Sequence, residues 1–217
     1  MAGLQSIVDN AVSISLNRTK VAAQSVSRSG IIKTSEIISG IPFHFDIEMS
    51  QGLSYSANRE LIEELDRIDI VEAGTIDIGL TNPGLAYITE YQGDISSAEL
   101  GDITLNGFGG DDIYMNTLSV TGSGTLFKAG DVIQPDTGYN YPYTVAVDVP
   151  YSASANLVVQ VHRPVIEQSA YTFFGKGLNV GVDCTYRVKM FKKPTYTILP
   201  HDRLVFNSSF KLVEVIE

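Results

Sequence analysis

Apolar and polar residues alternate along most of this chain. In residues 182–190, Val182, Cys184, Tyr186, Val188 and Met190 share one parity, and Asp183, Thr185, Arg187 and Lys189 the other. Strand side chains point alternately to opposite faces, so the spacing predicts a half-buried strand. The run YTVAVDV likewise sets Val145, Val147 and Val149 against Thr144, Ala146 and Asp148. LVVQVHRPVI is more apolar and is broken by Pro164, which has no amide hydrogen to give a ladder. IPFHFDIE, GTIDIGL, LAYITEY, GDITLNGF, DIYMNTLSV and FKLVEVI read as further short strands. Turn-forming clusters separate these runs, at Asn82-Pro83-Gly84, in the glycines from Gly107 to Gly110, at Gly122-Ser123-Gly124 and at Asp136-Thr137-Gly138.

One segment changes period. Leu61, Ile62, Leu65 and Ile68 recur at helical spacing, with Glu60, Glu63, Glu64 and Arg67 off that stripe. This predicts one amphipathic helix over about residues 57–69, with Ser56 as N-cap and Arg59–Glu63 and Glu63–Arg67 as ion pairs one turn apart. A helix of three turns is marginal alone and must pack on a sheet. The expected fold is therefore mainly β, an antiparallel β-sandwich or rolled barrel with that helix closing one face or end. The chain, 1–217, reads as a single β-rich unit. A mild shift through the glycine-rich stretch 106–124 suggests a loose division into a helix-bearing part, 1–105, and an all-β part, 120–217.

Composition narrows the function classes. Hydrophobic residues make up 44% and charged residues 18%, which is the composition of a folded chain. The net charge of −10 disfavours a basic nucleic-acid surface. The local cluster Arg187, Lys189, Lys192 and Lys193 reads as a solvated strand face. A single cysteine, Cys184, excludes an internal disulfide and a multi-cysteine zinc site, and its place in an apolar stripe makes it a small buried hydrophobe. The N-terminus lacks the pattern of a signal peptide, and no apolar run has the length of a membrane-spanning helix.

Candidate chemistry is sparse. Asp131, in LFKAGDVIQP, could be a catalytic carboxylate or a metal ligand, but it has no nominated partner, and Gly130-Asp131 reads as a β-corner. Asp111-Asp112 lacks the spacing of a calcium loop and reads as an acidic turn. His44, His162 and His201 are too far apart to form a local metal motif, and no nucleophile elbow marks a serine. The stretch Tyr139-Asn140-Tyr141-Pro142-Tyr143 is the best candidate for recognition, as an interface loop first and a sugar-stacking loop second. No cofactor is expected.

Several segments together resemble virion tail proteins of contractile-tailed bacteriophages, the small β-rich baseplate or tail-tube-type subunits. They are LFKAGDVIQP, YPYTV from Tyr141, VHRP from Val161, KPTY from Lys193 and FKLVEV from Phe210, with SVSRSG from Ser25 and YSANR from Tyr55. The resemblance implies a sandwich or rolled barrel with a flanking helix. It implies a non-enzymatic role as a ring or inter-ring adaptor at the baseplate hub or tube start. The expected partners are other tail subunits and copies of itself, and the expected location is the virion tail, after synthesis in the host cytoplasm. DNA would pass without specific binding, eased by an acidic lumen, and no membrane would be involved. Residues Arg28 and Lys33 would belong to an arm that reaches a neighbour. The alternative from a different class is a carbohydrate- or receptor-binding sandwich that uses Tyr139, Tyr141 and Tyr143. A wall-cutting hydrolase ranks last, because no paired carboxylates or metal motif support it.

Overall fold

The computed structural model describes residues 2–18, 22–26, 32–36, 41–68, 72–136, 141–166 and 173–216. The elements begin with α1 (Ala2–Asp9), β1 (Ala11–Arg18), β2 (Ala22–Val26), β3 (Ile32–Glu36), β4 (Phe43–Met49), β5 (Leu53–Ser54), α2 (Arg59–Arg67) and β6 (Gly74–Asp77). A 3-10 helix (Pro83–Ile88) and α3 (Ser97–Leu100) follow. Next come β7 (Thr104–Gly109), β8 (Asp112–Asn116), β9 (Thr125–Phe127), β10 (Val132–Pro135), β11 (Tyr143–Thr144), β12 (Val149–Pro150), β13 (Leu157–Gln160) and β14 (Leu178–Val180). The chain closes with β15 (Thr185–Lys192), β16 (Tyr196–Leu199), β17 (Arg203–Phe206) and β18 (Phe210–Glu214). The protein is mainly β, and its antiparallel sheets include a curled half-barrel.

The principal sheet has the order β1-β4-β18-β15-β6. Its inward residues are those the alternation selects: Phe43, Phe45 and Ile47 on β4, Tyr186, Val188 and Met190 on β15, and Phe210 and Leu212 on β18. Helices α1 and α2 cover them with Leu4, Ile7, Val8, Leu61, Ile62 and Leu65. Neither helix would persist alone at this length, so burial of these faces holds them in place. The basic Lys193 closes the end of α2, donating to the Leu65 carbonyl at 2.7 Å and to Asp66 Oδ1 at 2.5 Å, where a cation complements the helix dipole.

The α2 helix falls inside the expected span, but its start differs. Asn58 occupies the N-cap position and makes no side-chain cap bond. Ser56 instead donates to Asp202 Oδ2 at 2.7 Å. Arg59 lies over the Tyr55 ring at 5.3 Å, and among the described residues it makes no ion pair with Glu63. LAYITEY, expected as a strand, is mostly 3-10 helix, because Pro83 stands at the helix start with its φ already helical. YTVAVDV does not run as one strand. It pairs at Tyr143–Thr144, bridges at Val145 and then turns outward, leaving Val147 exposed.

The division expected between 105 and 120 is not where the cores separate. β15 and β18, from the C-terminal part, lie in the same sheet as β1 and β4. The second core is built from the stretch between them, including Ile95, Leu105, Ile113, Met115, Phe127, Tyr143, Val159 and Phe173. The chain thus makes a principal unit from its two ends and an inserted unit from its middle. Strand β10 is their shared wall. Val132 faces the first core and Ile133 the second, and Gln134 turns back to the first side. Its amide donates to the Thr185 carbonyl at 2.7 Å and accepts from the Thr185 N–H at 2.9 Å.

Candidate functional site

Lys128 to Asp131 form a β-turn in which the Asp131 N–H donates to the Lys128 carbonyl at 3.0 Å. Gly130 takes φ +105°, the angle that the third residue of a type II turn needs and that glycine adopts without strain. The buried Asp131 carboxylate accepts from the Lys128 N–H at 2.8 Å and the Gln92 N–H at 2.9 Å. Burial raises its pKa, opposed by these two hydrogen bonds. Asp131 therefore ties the turn to the segment before α3. Asp131→Ala is expected to cost about 1–3 kcal/mol, because two partly buried amides lose their acceptor. Urea denaturation would measure it, and an unchanged midpoint would refute the role.

Asp111 sits in the two-residue turn of the β7–β8 hairpin beside Gly110, which takes φ +65°. Its carboxylate accepts from Gln160 Nε2 at 3.1 Å. His44 lies on β4 opposite Asn17 and Val213. His201 and Asp202 occupy the β16–β17 turn with positive φ, and Asp202 Oδ1 accepts from the Ser56 N–H at 2.7 Å. Cys184 is buried, its thiol pKa pushed up by that burial. Among the described residues no group of three or more His, Cys, Asp or Glu side chains could hold a metal ion, and no helix is long and apolar enough to cross a membrane.

Two of the three loop tyrosines are placed away from the surface by the structure. Tyr141 is 2% exposed and Tyr143 is 0% exposed, both inside the second core. Tyr143 Oη accepts from the Ile166 N–H at 3.0 Å. Neither ring is presented to a ligand or a neighbour, since the apolar wall beneath β10 and β11 takes up both. Tyr139 lies outside the described residues.

The sequence reading overlooked a charged joint between the two units. Glu214 follows Phe210 and Leu212 on the inward parity of β18, and both its oxygens meet Arg163. The distances are 2.6 Å from Nη1 to Oε2 and 2.7 Å from Nη2 to Oε1. Both side chains are fully buried. Arg163 also donates to the Ile41 carbonyl at 2.8 Å and the Pro142 carbonyl at 2.9 Å. Glu214 Oε2 accepts from the Phe43 N–H at 3.0 Å. The guanidinium lies over the rings of Phe43 and Tyr143 at 5.3 and 5.2 Å. A buried ion pair must recover its desolvation through such additional bonds, and here they come from both units. Two of the segments quoted for the resemblance, VHRP and FKLVEV, meet at this pair.

An exposed strand lies at the edge of the principal sheet. β1 is its terminal strand and pairs with β4. From Ala11 to Asn17 it carries no charge and no proline. Ser13, Ser15 and Asn17 are exposed, and a register irregularity between Ala11 and Ser13 leaves Val12 57% exposed. From Ala11 to Asn17, and among the described residues, such an edge lacks the charges, prolines and cover that discourage pairing with another chain. Beyond β1, the connection to β4 carries the β2–β3 hairpin, in which Lys33 stands opposite Ser25. Arg28 lies outside the described residues. No family model matches the chain, and no curated protein matches it.

Proposed function

We propose that the chain is a structural subunit of a bacteriophage tail, joining copies of itself or other tail subunits as a ring or inter-ring adaptor at the baseplate hub or tube start. The observation that carries this reading is the edge strand β1, uncharged from Ala11 to Asn17, followed directly by a hairpin inserted between β1 and β4. An unprotected edge offers a row of backbone donors and acceptors to an incoming strand. The antiparallel, half-barrel architecture and the segments quoted for the resemblance support the same reading. Under it, the net charge of −10 would let DNA pass along the assembly without adhering. The burial of Tyr141 and Tyr143 removes two of the three rings on which a sugar-binding reading depended.

Immunogold electron microscopy of phage-like particles from the source, intact and disrupted, tests the proposal. Label at one end of the tail is the expected result, and particles that never label would overturn it. The mode of assembly has its own test. Ser15→Lys combined with Asn17→Lys places two cations on exposed edge positions, where folding stability should change by less than about 0.5 kcal/mol per site. Light scattering should show self-association of the parent chain and its loss in the double variant. Equal association of both would exclude the β1 edge.

A further inference from the structure

His162 is seated in the joint between the two units in a way that fixes its protonation state. Its ring packs 5.1 Å from Phe43 of the principal sheet and 6.4 Å from Tyr143 of the inserted unit. The Thr144 N–H donates to Nδ1 at 2.9 Å, so Nδ1 must hold a lone pair and the neutral ring carries its hydrogen on Nε2. Nε2 is buried and has no hydrogen-bond partner among the described residues. Adding a proton places a hydrogen on Nδ1, facing the Thr144 N–H donor. The bond becomes a repulsion between two donors.

The surroundings offer the new charge only the backbone at Ile41 and Thr144, which burial and two cations outweigh. Arg163 is the next residue, and Arg18 at the end of β1 is a second cation acting on the ring. The Glu214 carboxylate is already shared between Arg163 and the Phe43 N–H. On the neighbouring turn, Asp131 is committed to the Lys128 and Gln92 amides and Asp148 to the Ala129 N–H at 2.8 Å. Lys128 adds only positive charge, and Tyr143 and Tyr186 are buried phenols.

We propose that this joint is an acid-released latch: protonation of His162 at Nδ1 breaks the Thr144 bond beside the Arg163–Glu214 pair and loosens the inserted unit from the principal sheet, while each core remains folded. The proposal does not depend on the tail reading. Its sign follows from linkage. The His162 pKa is lowered from 6.5 to about 3, first by burial and then by Arg163 and Arg18. A group depressed in the closed state supports closure above pH 6.5 and loses that support progressively as pH falls toward about 3. With those two values the equilibrium for opening rises about a hundredfold between neutral pH and about pH 4.5.

Hydrogen exchange of the full chain, corrected for the intrinsic pH dependence of exchange, reads this directly. On acidification the amides of Phe43 and Thr144 should lose about a hundredfold of protection, while those of Ile113 and Met115 in β8 and Val188 in β15 keep theirs. His162→Asn, whose Oδ1 can replace Nδ1 as the acceptor for Thr144, should abolish the response. An equal response in this variant would overturn the proposal, as would loss of protection throughout both cores. If the variant does not fold, an NMR titration of the parent's three histidines decides the matter. Titration of His162 near the ordinary histidine value would refute the latch, and a ring still neutral at about pH 5 would support it.

Discussion

Arg163→Met is expected to destabilise the protein by about 3–5 kcal/mol, the cost of leaving one member of a buried ion pair without its partner. For a chain of this size that corresponds to a melting temperature lower by roughly 10 °C. The loss is large because Glu214 keeps a full charge in a site that excludes water, with the Phe43 N–H as its one remaining partner described here. Arg163→Met with Glu214→Leu should recover part of the loss by removing the stranded charge as well. Recovery will not be complete, since the Ile41 and Pro142 carbonyls lose a donor in either variant. Urea denaturation of the parent, the two single variants and the double variant measures the coupling between the pair. If the double variant is as unstable as the sum of the singles, the two residues do not act together.

Phe43→Ala is expected to cost about 3–5 kcal/mol, in the upper range for a buried aromatic. Phe43 is fully buried and stands where the two units meet. It packs edge-on against Tyr186 at 5.3 Å, beside His162 at 5.1 Å and beneath the Arg163 guanidinium at 5.3 Å. Its removal leaves a cavity on the principal side of the joint and strips an aromatic face from a buried cation. Phe43→Leu keeps most of the volume and should cost clearly less, so the difference between the two variants reports the cavity. A loss below about 1 kcal/mol for the alanine variant, read from the same denaturation curves, would mean that the site collapses without penalty.

The parts of the fold legible in sequence are those in which one strand meets one solvent boundary. On β15, Tyr186, Val188 and Met190 turned inward as their spacing predicts, as did Cys184 just before it. On β4, Phe43, Phe45 and Ile47 did the same, and α2 buried Leu61, Ile62 and Leu65. The short α1 was legible in principle, since Leu4, Ile7 and Val8 recur at helical spacing, although the reading gave it no helix. YTVAVDV misled because alternation describes side chains, whereas strand pairing depends on a neighbour for the backbone. Past Val145 the chain turns out to tie off the Lys128–Asp131 turn, where Asp148 takes the Ala129 N–H.

Tyr141 and Tyr143 were misplaced in the sequence reading for a related reason. A cluster of aromatics has the same appearance in sequence whether it covers a core or faces a partner, and only the wall beneath β10 and β11 decided between the two. The Arg163–Glu214 pair did leave a trace. Glu214 is a charge on the inward parity of FKLVEV, and Arg163 is a charge inside an apolar run. Each is anomalous alone, and their separation along the chain hid that they answer one another.

The sequence by itself determined the class of the fold, the faces of its strongest strands, the place of α2 and the turn at Gly130-Asp131. All of these depend on the alternation of polarity and on local backbone preference. The tertiary structure alone decided that the two ends of the chain share one sheet, that the middle forms an inserted unit and that β10 serves both cores. It also decided that His162, Arg163 and Glu214 lie in the joint between them, and that β1 is an edge. These depend on which strands pair at long range, and the free energy that selects those pairings comes from burying faces drawn from distant segments, a quantity that no local window of residues contains.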